Sequence, residues 1–338
     1  MSLSAQDLIL VTGATGLVGS HFVETLRRQG LRVRALVRDP AAAKLAAAAG
    51  AELAVGDLSR PESLTAAVRG ATVIVHCAAK VGDWGPIDEY RQINVRGLEQ
   101  LLLATQQQGT LRRFVHISSL GVYPARDHYG TDETTPPSST GIDGYTLTKV
   151  ESEQLVLQHV RDHGLPAVVL RPGFIYGPRD RSVLPRLIGR LRDGKFAYLG
   201  SPDLLMNNTY VGNLVEAILL ALDSDRSIGQ VYNITDGRLV SKREFVETIC
   251  RLSNLPAPKK VVPLGIARPL ARVLESVWKL LGKTEAPLLS QARIKFLGLN
   301  LDYSIEKAKR ELGYAPSTDF QQAIAATLHA DNSVARAA

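Results

Sequence analysis

A tyrosine and a lysine stand four residues apart in the segment Tyr145-Thr-Leu-Thr-Lys149. On a helix this spacing puts both side chains on one face, one turn apart. A free phenol, with a pKa of about 10, is a poor acid-base catalyst at neutral pH, whereas a nearby cation favours the phenolate and lowers that pKa. The pair therefore predicts a proton-transferring site, although the same spacing also occurs on solvated helices.

A glycine-rich turn near the N-terminus is the first element that must position such a site. An apolar strand at residues 8–12 runs into Gly13-Ala-Thr15-Gly16-Leu17-Val18-Gly19, and a helical pattern follows. In a dinucleotide-binding turn the first glycine allows the tight turn, the second lets backbone approach the pyrophosphate, and the third allows close helix–strand packing. The phosphates sit at the helix N-terminus. We therefore expect residues 13 and 15–18 to bind a cofactor.

The remainder of the first half alternates strand-like and helical stretches. Strand-like runs cover residues 32–37, 52–55, 72–76, 113–117 and 167–170. That alternation predicts an α/β fold with a Rossmann-type, doubly wound parallel sheet. Later residues show a short strand at 230–234 and helices at 214–222, 242–252 and 305–312. We expect residues 1–172 to form an NAD(P)-binding domain and residues 173–338 a smaller mixed α/β lobe that mainly binds substrate, with the chain able to recross and complete the sheet.

Composition narrows the function classes. The 338 residues are 45% hydrophobic, enough for a substantial core, and 40 basic against 33 acidic residues give a formal charge of +7. Cys77, Cys250 and seven unclustered histidines show no disulfide or metal-ligand spacing. The first strand begins almost at once, and no apolar run approaches the roughly 18 residues of a spanning helix. We expect a cytoplasmic protein without metal or nucleic acid, whose charge suits a phosphorylated cofactor or an anionic membrane surface.

Seven motifs, in order, resemble those of the extended short-chain dehydrogenase/reductase superfamily. They are Thr12-Gly13-Ala-Thr-Gly16-Leu-Val-Gly19, Asp57-Leu58, His76-Cys-Ala-Ala79, Asn94-Val-Arg-Gly97, His116-Ile-Ser-Ser119, Tyr145-Thr-Leu-Thr-Lys149 and Arg171-Pro-Gly-Phe-Ile-Tyr-Gly-Pro178. The resemblance covers nearly the whole chain. It implies an NAD(P)-dependent oxidoreductase that acts on CH–OH groups.

The resemblance also implies catalytic roles. Tyr145 is the general acid or base, while Lys149 lowers its pKa and hydrogen-bonds the nicotinamide ribose, so both also contact the cofactor. Ser119 orients the substrate oxygen, and adjacent Ser118 is either a cofactor contact or its competitor for that role. Asn94 is a secondary catalytic candidate, because a relay role and a helix-bending, backbone-bonding role fit it equally.

Cofactor preference depends on the end of the second strand. The resemblance sets Arg38 and downstream Lys44 where a 2′-phosphate would bind, which favours NADP(H) and leaves NAD(H) as the alternative. Asp39 is the rival ribose ligand, but its position before a proline is more typical of an N-cap. Further implied contacts are Asp57 and Leu58 at the adenine, Ala78 and Ala79 with neighbouring Lys80 on the nicotinamide side, and Pro172 at the carboxamide. Asp57 as a helix cap and the two alanines as strand packing are the alternatives.

The substrate class is indicated first by a missing charge. Nucleotide-sugar epimerases of this superfamily usually carry an arginine where this chain has Met206, and methionine cannot neutralise a diphosphate. Residues 79–85 and 208–213 instead resemble the 3β-hydroxysteroid dehydrogenase-like branch, which includes sterol dehydrogenases and reductases of long-chain β-keto acids. We therefore expect a small hydrophobic substrate in contact with Trp84, Ser119, Tyr176 and Asn208. Trp84 packed on its own domain and Tyr176 in the core are the alternatives.

A last pattern lies near the C-terminus. Apolar residues recur at helical spacing with basic residues between them: Ile266, Leu270, Leu274, Trp278 and Leu281, with Arg268, Arg272, Lys279 and Lys283. The pattern predicts an amphipathic cationic helix that is a lid, a peripheral membrane contact or a partner-binding surface. Relatives often dimerise through the helices that bear Asn94 and Tyr145, which implies a homodimer. The functional alternatives are a nucleotide-sugar epimerase or reductase and a non-catalytic cofactor-sensing protein.

Overall fold

A seven-stranded parallel sheet with helices packed on both faces forms the centre of the molecule. The computed structural model describes residues 3–138, 140, 143–181 and 183–336, and for residues 330–336 it describes the backbone alone. The strands are β1 (Leu8–Thr12), β2 (Arg32–Val37), β3 (Glu52–Val55), β4 (Val73–His76), β5 (Arg113–Ile117), β6 (His128–Thr131), β7 (Ala167–Pro172), β8 (Phe174–Tyr176), β9 (Tyr198–Leu199), β10 (Leu205–Met206), β11 (Asn208–Tyr210), β12 (Val231–Ile234), β13 (Val240–Ser241), β14 (Val261–Val262) and β15 (Leu301–Tyr303).

The helices alternate with the strands from β1 to β4 and follow a less regular order afterwards. They are α1 (Leu17–Arg28), α2 (Lys44–Ala48), α3 (Pro61–Val68), α4 (Ile87–Arg91), α5 (Gly97–Gln108), α6 (Gly144–His163), α7 (Leu184–Arg192), α8 (Val211–Asp223), α9 (Lys242–Leu252), α10 (Leu264–Leu280), α11 (Gln291–Gly298), α12 (Glu306–Leu312) and α13 (Phe320–Arg336). A π-helical turn, Gln92–Arg96, joins α4 to α5. Within the described parts of the chain, no helix is both long enough and apolar enough to cross a bilayer.

The strand order in the sheet is β12-β7-β5-β4-β1-β2-β3. From β1 the chain first extends the sheet through β2 and β3, and then crosses to the other side of β1 to add β4 and β5. The carboxyl ends of β1 and β4 therefore lie at a topological switch point, where doubly wound sheets bind their ligands. The predicted doubly wound α/β fold is confirmed. Strand β12, which follows residue 172 in the sequence, pairs with β7 and completes the sheet.

Three apolar clusters hold these layers together. One face of the sheet packs on α1 and α8, and the other on α3 and α5. Strand β1 is buried along its whole length, as expected for a central parallel strand whose residues are apolar on both faces. The third cluster joins β8, α7, α9 and α13 into the lobe beside the carboxyl edge of the sheet. The switch-point edge of the sheet and this lobe therefore lie side by side.

Helix α6 holds the tyrosine–lysine pair, and its ends are well defined. The Asp143 carboxylate accepts a hydrogen bond from the Thr146 backbone N–H at 2.8 Å, which satisfies one of the free donors of the first turn. At the other end Gly164, in the left-handed region with φ 64°, terminates the helix. The N-cap fixes where the first turn begins, and with it the position of Tyr145.

Candidate active site

The glycine turn after β1 has the close backbone approaches that its sequence predicts. Gly13 has a φ of +68°, and a Cβ added to it would lie 2.7 Å from the Ala78 backbone nitrogen. A Cβ on Gly19 would come within 2.2 Å of the Gly13 carbonyl oxygen. Thr15 and Gly16 are solvent exposed, and the first turn of α1, with Leu17 and Val18, has no side-chain cap. These uncapped N–H groups fit the pyrophosphate of a dinucleotide.

The end of β2 separates the two candidates for the ribose. Arg38 and Lys44 are both solvent exposed. The Asp39 carboxylate accepts a hydrogen bond from Ala41 N at 2.9 Å and caps the 3-10 helix Pro40–Ala43, as its position before proline predicts. Because Asp39 serves as a cap, the basic residues remain the groups at this strand end that suit a 2′-phosphate.

At the end of β3, Asp57 and Leu58 behave differently from each other. Asp57 Oδ1 accepts hydrogen bonds from the backbone and hydroxyl of Ser59, both at 2.8 Å. Burial raises the pKa of Asp57, but these bonds and the charges of Arg38 and Arg60 outweigh it, so the pKa lies below its ordinary value. The alternative role of Asp57 as a cap of α3 is wrong, since Arg60 occupies the N-cap and no side chain bonds there. Leu58 is buried in the core.

The loop after β4 is fixed by two of the predicted residues. Ala78 N donates to Thr12 Oγ1 at 3.2 Å, and Lys80 N donates to Asn94 Oδ1 at 2.7 Å. Ala79 is half-buried between them. The Lys80 ammonium forms an ion pair with Glu89 at 2.5 Å, so the structure gives its charge a partner on α4.

Asn94 lies on the π-helical turn and connects three segments. Its Nδ2 donates to the Lys80 carbonyl at 3.0 Å and to Thr148 Oγ1 at 2.9 Å. The amide therefore joins the β4 loop to α6 and has no hydrogen bond to Tyr145 or Lys149. Of the two roles predicted for Asn94, this geometry favours the helix-bending, backbone-bonding role over the relay role.

Tyr145 and Lys149 face the end of β5. Lys149 is buried, and its Nζ donates to the Ile117 carbonyl oxygen at 2.7 Å while lying 5.9 Å from the centroid of the Tyr145 ring. Burial lowers the pKa of Lys149 to about 8, although the charge of Glu153 acts in the opposite direction. At neutral pH the Lys149 side chain is therefore mostly protonated, but its pKa lies only slightly above that pH.

The pKa of Tyr145 is set mainly by burial and not by the charge of Lys149. Burial raises the pKa of Tyr145 to about 12, a hydrogen bond with Ser119 lowers it in part, and the charge of Asp143 raises it. Desolvation of the phenolate is therefore the dominant influence, and the net pKa of Tyr145 lies above its ordinary value despite the neighbouring Lys149. The phenol is protonated at neutral pH, the form that a proton donor needs.

The two adjacent serines have distinct partners. Ser119 is half-buried, and its Oγ accepts a hydrogen bond from Gly121 N at 3.0 Å as the N-cap of the short helix Leu120–Val122. Ser118 is buried and donates its hydroxyl to Glu153. Since the Ser119 hydroxyl lies near enough to lower the pKa of Tyr145, whereas Ser118 is committed to Glu153, the structure favours Ser119 for the substrate oxygen.

Glu153 is the centre of a buried polar network beneath the site. It accepts hydrogen bonds from Arg171 Nε at 2.9 Å and Nη2 at 2.6 Å, and Arg171 Nη1 donates to the Tyr123 hydroxyl at 2.8 Å. Burial lowers the pKa of Arg171, but the hydrogen bonds and charge of Glu153 outweigh it and raise the value. The network joins α6 to the end of β7, where Pro172 lies buried.

Two predicted substrate residues lie in the core instead of the cleft. Tyr176 is fully buried and donates to Asp236 Oδ2 at 3.0 Å, and Asn208, 1% exposed, donates to the same oxygen at 2.8 Å. The prediction that both contact substrate is wrong, because both bind the buried carboxylate of Asp236. Asp236 lies 60 residues after Tyr176 and 28 residues after Asn208 in the sequence. For Tyr176 the core alternative is the observed one.

Trp84 is half-buried, and its indole Nε1 donates to the Lys283 carbonyl at 2.9 Å, just beyond α10. A second bridge, from Arg293 Nε to Asp83 Oδ2 at 2.6 Å, joins the same loop to α11. The loop at residues 81–86 is therefore held against the C-terminal lobe and not only against its own domain.

Sequence reasoning missed one side chain next to Ser119. The Phe296 ring, half-buried on α11, packs against Gly121: a Cβ on that glycine would lie 3.2 Å from both Phe296 Cζ and Ser119 Oγ. Adjacent Lys295 donates to the Tyr123 carbonyl at 2.7 Å and anchors α11 there. No local signal identifies Phe296, since 177 residues separate it from Ser119 in the sequence.

The doubly wound fold and the placement of Tyr145 and Lys149 beside the glycine turn make this chain an NAD(P)-dependent oxidoreductase of the extended short-chain dehydrogenase/reductase type. Residues 9–235 match the model of the NAD dependent epimerase/dehydratase family, and the chain belongs to that family.

Similar proteins agree with this class. The chain is 34% identical over 316 residues to 4-hydroxy-2-methyl-3-oxo-4-farnesyl-3,4-dihydroquinoline-1-oxide ketoreductase of Stigmatella aurantiaca, covering 93% of each chain. It is also 34% identical over 332 residues to 3 beta-hydroxysteroid dehydrogenase/Delta 5→4-isomerase of Mycobacterium tuberculosis, covering 94% of this chain and 88% of that one. The crystal structure of gox2253 superposes with a TM-score of 0.82 at 31% identity, covering 98% of this chain and 99% of that chain.

Proposed function

We propose that this enzyme interconverts a secondary alcohol and a ketone on a hydrophobic molecule, either steroid-like or a β-hydroxy/β-keto acyl compound. One observation carries the proposal: a protonated phenol, Tyr145, interacts with the Ser119 hydroxyl beside the end of β5, at the sheet edge that also bears the glycine turn. The names of the two similar proteins, a ketoreductase and a hydroxysteroid dehydrogenase, support the substrate class.

The residues divide the chemistry of ketone reduction. A bound nicotinamide cofactor supplies the hydride. Ser119 donates its hydroxyl proton as a hydrogen bond to the ketone oxygen, since its own oxygen already accepts from Gly121 N. Tyr145 transfers its proton to that oxygen as the C–H bond forms, and the Lys149 ammonium stabilises the resulting phenolate. In the oxidative direction the same groups take the proton back.

Replacement of Tyr145 tests this mechanism. Tyr145→Phe removes only the hydroxyl, so turnover should fall by about 10²–10⁴-fold or more, the usual contribution of a general acid. Cofactor binding, followed by the fluorescence of the two tryptophans, should stay within about twofold of wild type. Tyr129→Phe, at a tyrosine that is 75% exposed, is the matched control and should leave turnover unchanged. Undiminished turnover by Tyr145→Phe would refute the mechanism.

We further propose that NADP(H) is preferred over NAD(H). The exposed basic side chains of Arg38 and Lys44 support this preference, as does the use of Asp39 as a helix cap. Arg38→Ala should lower the ratio of kcat/KM for NADPH over NADH by at least tenfold. Arg28→Ala, at an exposed arginine on α1 that pairs with Glu24, should leave the ratio unchanged.

A nucleotide-sugar substrate is less well supported. Met206 is half-buried against the apolar cluster of the lobe and offers no charge to a diphosphate. Calorimetry with a nucleoside diphosphate sugar should show no binding. Following nicotinamide absorbance across steroids, β-keto acyl compounds and sugar nucleotides should give turnover with the first or second group.

We also propose a cytoplasmic homodimer that makes peripheral contact with a membrane. The dimer would form through the exposed faces of α5 and α6, where Leu103 is 41% exposed. Light scattering should give twice the mass of a monomer for the wild-type protein. Leu103→Glu should reduce the measured mass to that of one monomer.

A further inference from the structure

We propose that the outer side of α10 is a docking surface for an anionic lipid bilayer. This inference rests on the proposed function, because a substrate that dissolves in membranes gives the enzyme a reason to bind one. Six apolar side chains form the surface, with exposed fractions between 40% and 87%: Ile266, Leu270, Val273, Val277, Leu280 and Leu281.

These residues form one continuous stripe. Ile266, Leu270, Val273, Val277 and Leu280 follow each other by four, three, four and three residues, the spacing of a single helix face. Single exposed apolar residues are common on soluble proteins, whereas contiguous apolar patches mark binding sites. The stripe is therefore unlike an ordinary solvated helix face.

The stripe is not the face that packs on the protein. Ala267 and Ala271 are fully buried, and Leu274 packs beside them against the cluster that includes Leu289 and Ile294. The sequence pattern grouped Leu274 with Ile266 and Leu270, but the structure turns Leu274 inward and brings Val273 and Val277 to the outside. The helix thus has one apolar face against the lobe and a second one toward solvent.

The charges beside the stripe select the partner. Arg268, Arg272 and Lys279 on α10 and Lys283 just beyond it are exposed. The acidic residue of the helix, Glu275, accepts a hydrogen bond from Gln291 N at 2.7 Å and so serves the protein interior. An exposed apolar stripe with basic residues on the neighbouring face matches an interfacial helix on anionic lipid. Protein interfaces are enriched in arginine but depleted of lysine, so Lys279 and Lys283 favour lipid over a protein partner.

Docking would bring the bilayer next to the loop at residues 81–86, which contains Trp84. Trp84 donates to the Lys283 carbonyl at 2.9 Å, just beyond the C-terminal end of α10, and Asp83 of the same loop pairs with Arg293 of α11. Phe296 of α11 packs beside Ser119. A hydrophobic substrate would therefore pass from lipid to Tyr145 along the walls of the lobe.

Vesicle co-sedimentation tests the surface. The full-length protein should bind vesicles of phosphatidylcholine with about 30% phosphatidylglycerol and bind pure phosphatidylcholine much more weakly. Leu270→Glu with Val277→Glu, at 46% and 40% exposure, should abolish binding. The matched control is Leu252→Glu with Ile228→Glu, two apolar residues that are each 40% exposed outside α10, and it should bind like wild type.

The charge contribution has its own variant. Arg268→Gln with Arg272→Gln should weaken binding to anionic vesicles by about 25-fold, from about fivefold for each basic residue near the surface. No sedimentation of wild type, or equal sedimentation of the Leu270/Val277 variant, would overturn the docking surface. A wild-type dimer that the same variant converts to monomer would overturn it as well, since a second copy would then cover the stripe.

Turnover of a short, water-soluble β-keto ester separates the two proposals. The Leu270/Val277 variant should keep wild-type kcat on this ketone without lipid. Turnover without vesicle binding would remove the docking surface alone, whereas vesicle binding without turnover of any ketone would remove the proposed oxidoreductase function alone.

Discussion

Replacement of Glu153 by leucine should remove a large part of the stability of the enzyme. The carboxylate is 1% exposed and accepts hydrogen bonds from Arg171 and Ser118. Leucine has a similar volume but leaves the guanidinium of Arg171, itself 3% exposed, without its counter-charge. Breaking a buried ion pair by removing one partner costs about 3–5 kcal/mol. The free energy of unfolding should therefore fall by about that amount.

The double variant Glu153→Leu with Arg171→Met shows whether the cost comes from the stranded charge. Removal of both charges leaves an apolar contact, so this variant should regain most of the loss and stay within about 2 kcal/mol of wild type. Urea denaturation followed by circular dichroism measures both values. The reasoning is refuted if the single variant unfolds within about 1 kcal/mol of wild type, or if the double variant is less stable than the single one.

Three further changes test the site. Burial lowers the pKa of Lys149 to about 8, so its side chain is charged below that pH and neutral above it. The value of kcat/KM for ketone reduction should therefore be flat up to pH 8 and then fall about tenfold per pH unit. A flat profile to pH 9.5 would contradict this. Gly19→Ala, whose Cβ would lie 2.2 Å from a backbone oxygen of the turn, should abolish cofactor binding by calorimetry. Gly189→Ala, whose Cβ would point from α7 into open space, should not. Phe296→Ala should raise KM for bulky ketones at least fivefold without changing cofactor affinity, while exposed Leu297→Ala should leave both constants unchanged.

The elements that sequence reasoning predicted well are those with local signals. Four strands, β1, β2, β3 and β5, have the predicted boundaries, because apolar runs bounded by polar turns are a local pattern. The signal of the glycine turn is equally local. Each of its glycines is needed because a Cβ there would approach backbone atoms a few residues away or just after the adjacent strand.

The errors concern side chains whose partners are distant in the sequence. Tyr176 belongs to the core because Asp236, 60 residues later, accepts its hydroxyl. The pKa of Tyr145 depends on how much protein surrounds the phenol, and the four-residue spacing to Lys149 holds no information about that burial. Val273 and Val277 face solvent because the lobe packs on Ala267 and Ala271, a choice that helical periodicity alone leaves open.

The spacing that first indicated the site extends one turn further than the catalytic pair. Tyr145, Lys149 and Glu153 follow each other at intervals of four, so a phenol, an ammonium and a carboxylate share one face of α6. Glu153 is ion-paired with Arg171, yet its charge also raises the pKa of Lys149 against the effect of burial. One buried carboxylate thus supports two buried cations, and the structural network and the chemistry are coupled through it. At about 8, the pKa of Lys149 leaves roughly nine-tenths of the ammonium charged at pH 7, since one pH unit is a tenfold ratio. A weaker field from Glu153 would lower the pKa of Lys149 and so reduce that charged fraction.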